Sequence, residues 1–485
     1  MGIAVRARRL LTDLRSPAGR WRRMRALALK VPRVSSTLLI VYGSLWTPQG
    51  RQRLRVSLYT KVEPVLHAAA WGYRRAVARG TRVVAVTGTF GKTTTTRAVG
   101  AALGLPLTGI TGHNSPAAHA AAVLRMRPWH RYMVFEVAAS RPGQVARSVR
   151  VLRPNVAVVT CIGSEHLTSY GSLEVTRAEK AVAVRALPLS GTAILNGDDP
   201  NVLWMKDCTR ARVITFGLDA ANEVRAADVA PVGLSGTRFT VHVAGATREV
   251  YSRLVGRPMI YCMLAAIAVG HAEGLELDAV VSAIETLTST QNRLQLISHK
   301  SGAVLLLDAY KGAVETIHAA LDAVGELPAR RKIVVLGDVE EPPASQGPIY
   351  REVGTHAARV ADRVFFLGGK KNFARLRAGT AAAGLARQEL FNIRGEPRHV
   401  AKILASELGP DDLVLIKGRS TEHLERIVLE LTGRGVDCVL RLCRRRHDCA
   451  TCPLRGRRST TGSSALSPTA QQPTDEAPDD GRVVE

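Results

Sequence analysis

The stretch Val83-Val84-Ala85-Val86-Thr87-Gly88-Thr89-Phe90-Gly91-Lys92-Thr93-Thr94-Thr95-Thr96 decides how the chain is read. Four apolar β-formers run into a glycine turn, the turn ends in Gly-Lys-Thr, and a helix-compatible run follows. This is the strand–loop–helix layout of a phosphate-binding loop. Glycines let backbone N–H groups approach phosphate oxygens, a lysine supplies a point charge, and a hydroxyl can sit on Mg²⁺. Gly88, Thr89, Gly91, Lys92, Thr93 and Thr94 are therefore the candidate ATP-phosphate ligands. The usual spacing G-x-x-x-x-G-K-[ST] would put its first glycine at Val86. Here the loop is the shorter T-G-T-x-G-K-T-T.

Working outward, 485 residues suffice for two or three domains, and 46% hydrophobic content is that of a globular protein. The net charge of +26 is unevenly placed, because residues 1–80 carry 17 Lys/Arg against only Asp13 and Glu63, a local excess of +15. Such a basic arm suits nucleic acid, an anionic membrane or anionic substrates, or reflects a drift toward arginine. No nucleic-acid-reading module is evident and aromatic interleaving is sparse, so no nucleic-acid partner is expected. The apolar stretch Val34–Trp46 is shorter than the roughly 20 residues a membrane span needs. No small-residue cleavage site follows it. It reads as a buried or interfacial helix. Residues 1–50 then make peripheral contact with anionic lipid, or pack as a helical arm on the folded body. A nucleotide-binding chain without an export signal is expected in the cytoplasm, with the inner membrane face as the peripheral alternative. Cys161, Cys208 and Cys262 sit in apolar or mixed contexts as buried thiols do, and disulfides are not expected.

From Thr81 strands and helices alternate: strands at Val83–Thr87, Tyr132–Val137, Val156–Cys161, Thr192–Leu195 and Val213–Phe216, helices at Lys92–Leu103 and Glu174–Leu187. Period-two alternation at Phe239-Thr240-Val241-His242-Val243 predicts an antiparallel patch within 223–255, closed by helices Met259–Gly270 and Asp278–Leu287. A second series follows Gln295, with strands at Val304–Leu307, Ile333–Leu336, Val364–Leu367 and Leu413–Ile416. The fold class is α/β: a central phosphate-loop domain with a parallel sheet, then a smaller, doubly wound, Rossmann-like C-terminal domain. The expected divisions are a basic helical arm (1–80), the central domain (81–290), the C-terminal domain (291–437), a Cys-rich segment (438–456) and a disordered tail (457–485).

Three further residues narrow the chemistry. Glu136 ends a buried strand, where α/β sheets bind ligands, and can ligate a metal beside Thr93. Alone it would be a surface glutamate. His166 follows another buried strand, and a lone histidine is usually structural. Lys180 lies mid-helix and by itself would be a solvated lysine.

Taken together, T-G-T-x-G-K-T-T, the Glu136 strand, Ile162-Gly163-x-x-His166-Leu167, Gly171-Ser172-Leu173-Glu174 with Lys180, and Leu195-Asn196-Gly197-Asp198-Asp199-Pro200 resemble the Mur ligase family in order and spacing. Asn292-Arg293, Leu307-Asp308-Ala309-Tyr310, Leu336-Gly337-Asp338 and Ile416-Lys417-Gly418 look most like its MurF branch, the UDP-N-acetylmuramoyl-tripeptide:D-alanyl-D-alanine ligases. The resemblance spans about residues 81–440. It implies an ATP-dependent carboxylate–amine ligase acting through an acyl phosphate, in cell-wall or envelope polymer synthesis. It also implies roles. Lys92 and Gly91 would hold the β- and γ-phosphates, Thr93 and Glu136 one Mg²⁺, and His166 a second. Lys180 would be carbamylated and face the metal, and Arg293 and Asp308 would arrive from the C-terminal domain. The implied partners are ATP, a carboxylate acceptor such as a UDP- or lipid-linked muramoyl peptide, and an amino acid or dipeptide amine.

The departures matter. The family's His-Asn-x-x-Asn reads Pro258-Met259-Ile260-Tyr261-Cys262, so the adenine-contacting asparagine is replaced by Cys262. The MurF D-D-x-Y-N-A-N-P reads Leu307-Asp308-Ala309-Tyr310-Lys311-Gly312-Ala313-Val314, which leaves the amine open. Residues 1–80 do not resemble the small UDP-gripping domain. A poly-γ-glutamate-synthase-like membrane ligase and, in another class, a basic nucleic-acid-binding ATPase are the competing readings. Finally, Cys438, Cys443, Cys449 and Cys452 have the spacing C-x4-C-x5-C-x2-C, and four thiolates can hold Zn²⁺ or an iron–sulfur cluster. Arg444, Arg445 and Arg446 are expected to lower their pKa values. The alternative is reduced thiols on a basic tail.

Overall fold

A computed structural model describes residues 62–106, 114–165, 167–342, 346–393, 396–436, 438 and 449–452. The basic stretch 1–50, the tail 457–485, His166 and Cys443 lie outside the described residues.

β1 (Arg82–Thr87) carries Val83, Val84, Ala85 and Val86 with no solvent exposure, as a strand covered on both faces must. Its alternate residues point into different layers. Val84 and Val86 pack with α2 (Lys92–Ala102), α8 (Arg257–Ala272) and α9 (Leu277–Glu285). Val83 and Ala85 pack with α1 (Glu63–Ala76), α3 (Pro116–Val123), α4 (Gln144–Leu152) and α6 (Leu173–Arg185). The short α5 (Leu167–Tyr170) and α7 (Pro200–Leu203) lie in connections. The sheet runs β2-β1-β3-β4-β5-β6-β7-β8, with β2 (Tyr132–Glu136), β3 (Val156–Val159), β4 (Thr192–Asn196), β5 (Arg212–Gly217), β6 (Val224–Val232), β7 (Gly236–Val243) and β8 (Ala246–Ser252). Pairing is parallel as far as β6 and antiparallel from β6 to β8, as the period-two pattern predicted. α1 is fastened to this body by Arg74, 4% exposed, whose guanidinium donates to the carbonyls of Leu152 (3.0 Å), Thr81 (2.9 Å) and Ala78.

The second sheet runs β13-β12-β11-β14-β10-β9. Its strands are β9 (Gln295–Ser298), β10 (Val304–Asp308), β11 (Arg331–Leu336), β12 (Arg363–Phe366), β13 (Leu390–Asn392) and β14 (Asp412–Lys417). All pair in parallel except the β9 edge. α10 (Val314–Glu326), α11 (Gln346–Val360) and α12 (Lys370–Ala382) cover one face, α13 (Pro397–Glu407) and α14 (Glu425–Leu431) the other. One apolar cluster runs continuously from α8 and α9 to α10 and α11, so the two domains share a core where they meet.

Several elements were not foreseen from the sequence. α3 is buried all round, and a helix apolar on every side has no amphipathic stripe to read. α4, α12 and the three-residue β13 were also unforeseen. Lys180 is no solvated lysine. It lies on the buried face of α6 at 3% exposure.

α11 and α12 cross closely because each offers a glycine. A Cβ at Gly354 would sit 2.2 Å from the Leu376 carbonyl oxygen, and one at Gly379 2.0 Å from that of Arg351. Backbone atoms cannot swing aside as a side chain would. Gly354→Ala is expected to cost about 2 kcal/mol through forced separation of the helices. A lowered urea midpoint measures it, and an unchanged midpoint would contradict the close crossing.

Candidate active site

The phosphate loop is shaped by contact with the β3 strand end. Gly88 has φ +132°, and a Cβ there would lie 2.1 Å from Thr160 Oγ1. Gly91, at φ +79°, is the N-cap of α2, so the first N–H groups of that helix face the cleft. The Thr160 hydroxyl donates to the Phe90 carbonyl at 2.6 Å, and Thr89 Oγ1 accepts from the Gly163 N–H at 2.9 Å. Lys92 Nζ folds back onto the Thr89 carbonyl at 2.6 Å. Burial pushes its pKa down, opposed by the charges of Glu165 and Glu136.

Parallel register puts Glu136 beside the loop, since Val86 pairs with Glu136. The Glu136 carboxylate is 7% exposed and accepts from the Thr93 hydroxyl (2.7 Å) and Asn114 Nδ2 (3.2 Å). His119, fully buried, fixes the end of that strand, with Nε2 3.0 Å from the Glu136 carbonyl oxygen and Nδ1 3.0 Å from Ser148 Oγ. Lys180 reaches the same space from α6. Burial, then the Lys92 charge, lowers its pKa to about 7. Its neighbour Glu179 is occupied elsewhere, accepting from the N–H groups of Gly143 and Val145 at 2.9 Å each to cap α4.

The C-terminal domain completes the cleft. Arg293 donates to Thr93 Oγ1 at 3.2 Å while its guanidinium stacks 4.3 Å over the Tyr310 ring. Asp308, at the end of β10, accepts from the buried Lys417 Nζ at 2.6 Å and from the Leu294 N–H at 3.4 Å. Lys311 forms an ion pair with Glu165, and Glu315 accepts from both the N–H and the hydroxyl of Ser164 at 2.7 Å. These residues enclose a cavity of about 820 Å³. Of the expected site residues, Gly88, Thr89, Gly91, Lys92, Thr93, Thr94, Glu136, Lys180, Arg293 and Asp308 all line it. His166 lies outside the described residues, although Glu165 beside it is on the cavity wall. Sequence reading missed Asn114, His119, Glu165, Lys311, Glu315 and the Lys417 partner of Asp308. The available pointers were Ile416-Lys417-Gly418, the Leu307–Val314 stretch that holds Lys311, and Ile162-Gly163-x-x-His166-Leu167, which spans Glu165.

The end of the cavity beside α8 departs from the family pattern. Cys262 is buried against the loop, 3.8 Å from the Gly91 carbonyl, and burial pushes its thiol up to about 11. Tyr261 donates to Asp198 at 2.8 Å, and that carboxylate also accepts from the N–H groups of Leu218 and Asp219 and from Asn222 Nδ2.

Away from the cleft, Arg426 Nε donates to Cys449 Sγ at 3.1 Å. The expectation of lowered thiol pKa values fails at Cys449. Arg444–Arg446 lie outside the described residues, and burial, then the Glu425 charge, pushes this thiol up to about 12 against the opposing Arg426 contact.

Comparison with known proteins decides the family. Residues 86–270 match the description "Mur ligase middle domain" and residues 292–420 "Mur ligase, glutamate ligase domain". UDP-N-acetylmuramoyl-tripeptide–D-alanyl-D-alanine ligase of Escherichia coli K12 is 31% identical over 373 residues, covering 76% of this chain and 80% of that protein. The chain belongs to the Mur ligase family. The Mycobacterium tuberculosis ligase of the same name is 29% identical over 369 residues, 72% of each chain. Solved MurF structures share the fold. The Acinetobacter baumannii protein superposes with TM-score 0.66 at 21% identity, covering 76% of this chain and 80% of that one. The Thermotoga maritima protein in complex with ADP gives 0.65 at 22%, covering 76% and 83%. This Mur ligase is thus a MurF-like, ATP-dependent, C–N bond-forming enzyme of peptidoglycan synthesis that uses ATP and Mg²⁺. Thr93 and Glu136 fit the metal, as a hydroxyl and a nearly buried carboxylate are the hard oxygen donors Mg²⁺ takes.

Glu315→Ala removes both hydrogen bonds that tie Ser164 to the C-terminal domain. The expected result is a several-fold fall in kcat/KM for ATP with unchanged thermal stability. An unaltered kcat/KM would mean that this tie does not hold the cleft.

Proposed function

We propose that this Mur ligase joins the terminal carboxylate of a UDP- or lipid-linked muramoyl peptide to the amine of an amino acid or dipeptide. The observation that carries the reading is the convergence of Lys92, Thr93, Glu136 and Lys180 with Arg293 and Asp308 on one cavity shared by two domains. The relatives named above support the substrate class, since their names specify a muramoyl tripeptide and D-alanyl-D-alanine.

In this reading the loop N–H groups, Gly91 and Lys92 leave their present partners for the β- and γ-phosphates. Thr93 and Glu136 hold one Mg²⁺, and His166 with a carbamylated Lys180 supports a second. When bound, the cations neutralise charge on the phosphates. A substrate carboxylate oxygen attacks the γ-phosphorus, the bond to the bridging oxygen breaks, and ADP departs. The amine then attacks the acyl carbon, the carbon–oxygen bond to phosphate breaks, and the nitrogen gives up a proton to solvent as the amide forms. Arg293 stabilises charge from the C-terminal side, and Asp308 holds the buried Lys417 at that wall. The Lys311–Glu165 and Glu315–Ser164 contacts keep the cleft shut against water, which would otherwise consume the acyl phosphate. Lys311 stands where the MurF pattern has asparagine, so the amine specificity of this chain need not copy that of its relatives.

ADP release screened over acid–amine pairs tests this directly. Wild type should require both an acid and an amine, and Lys92→Ala should lower the rate at least about 100-fold. Activity that persists in Lys92→Ala, or that needs nucleic acid instead, would refute it.

Carbamylation needs a neutral amine, which then attacks CO₂ and loses a proton. With its pKa at about 7, Lys180 is neutral in about half the molecules at pH 7 and roughly a tenth at pH 6. Activity should therefore fall several-fold between pH 7 and pH 6 and recover in part with added bicarbonate. Lys180→Ala should be partly rescued by acetate. Absence of both responses in a folded protein would count against the carbamate.

A further inference from the structure

The turn after β14 and the start of α14 bury a second group of metal-ligating side chains outside the nucleotide cleft. His423, Glu425, Arg426 and Cys449 are 2%, 4%, 5% and 4% exposed. One ligand atom each from His423, Glu425 and Cys449 lies within 4.8 Å of the others. His423 Nδ1 is 2.9 Å from Glu425 Oε1, which also accepts the Cys449 N–H at 3.2 Å. Arg426 connects a second sulfur to the group, with Nε 3.1 Å from Cys449 Sγ and a terminal nitrogen 3.6 Å from Cys438 Sγ. Imidazole, carboxylate and one thiol thus meet at one water-poor spot, and the half-buried Cys438 thiol adjoins it across Arg426.

We propose that His423, Glu425, Cys438 and Cys449 bind one Zn²⁺ ion. Charge selects a divalent cation. The spot already holds the Arg426 cation and the Glu425 anion, so uptake of M²⁺ with release of two thiol protons to solvent leaves the buried charge unchanged. No oxidant or reductant is involved, and two S–H bonds become two S–Zn bonds. Ligand type selects zinc among divalent ions, because thiolate and imidazole disfavour Mg²⁺ and Ca²⁺. Arg426 supplies the outer hydrogen bonds that orient ligating thiolates.

The location suggests what the ion does. His423 follows Glu422, whose carboxylate accepts the N–H groups of Asp338 (2.9 Å) and Arg419 (3.1 Å), and the same turn begins at Lys417, the partner of Asp308. Zinc pins the segment carrying Cys438 and Cys449 onto that turn. The ion is structural and takes no part in the ligation.

Metal analysis of the full-length protein purified without chelator should find about one zinc per chain. His423→Ala and Cys449→Ser should each lose it, while Cys208→Ser, remote from the site, should keep it. Cobalt titration of the chelator-stripped wild type covers the case in which those variants fail to fold. Thiolate-to-cobalt charge-transfer bands and tetrahedral ligand-field bands are expected. Zinc-free protein without those bands, zinc retained in both variants, or an iron–sulfur chromophore in place of zinc would overturn the proposal.

Discussion

The cleft depends on the Thr93 hydroxyl. A hydroxyl has one proton to donate and lone pairs to accept. Thr93 gives its proton to Glu136 and accepts from Arg293. That single group joins the first turn of α2, the end of β2 and the first residues of the C-terminal domain. The geometry needs parallel register, because a one-residue slip of β2 against β1 would turn Glu136 to the opposite face of the sheet. It also needs the C-terminal domain docked, because Arg293 stands at the start of that domain.

Around that hydroxyl the cleft gathers basic and acidic side chains. Lys92, Lys180, Arg293, Lys311 and Lys417 face Glu136, Glu165, Asp308 and Glu315. Three of the lysines are partnered within the protein. Lys92 takes a carbonyl, Lys311 takes Glu165, and Lys417 takes Asp308. Lys180 is the exception, since burial and the nearby Lys92 charge favour its neutral form. A neutral buried amine is the state that carbamylation requires, so environment and proposed role agree.

How much of this was readable from sequence follows from how local each feature is. The phosphate loop is one contiguous stretch, so its residues were identified without any fold. Glu136 was legible because a carboxylate closing an apolar run sits at a strand end. The strand–helix alternation placed β1 to β5, β10, β11, β12 and β14 to within a residue or two, but not β9 or β13. What pattern could not supply was contact between distant segments. Lys180 looked solvated because the helix carrying it has charges on several sides, and only packing against the sheet buries it. Glu165 is an unspecified position of its motif, Lys311 a departure from one and Glu315 in none, and their partners lie about 150 residues away. α3 was invisible because it is apolar all round. The cysteine spacing hinted at a metal, yet His423 and Glu425 entered only through the fold.

The central claim is that ATP cleavage here passes through a bond between a substrate carboxylate and the γ-phosphorus. Oxygen-18 in the acceptor carboxylate tests this most directly. The account predicts transfer of one labelled oxygen to the released phosphate in each turnover that forms amide. Unlabelled phosphate released together with amide product would contradict it.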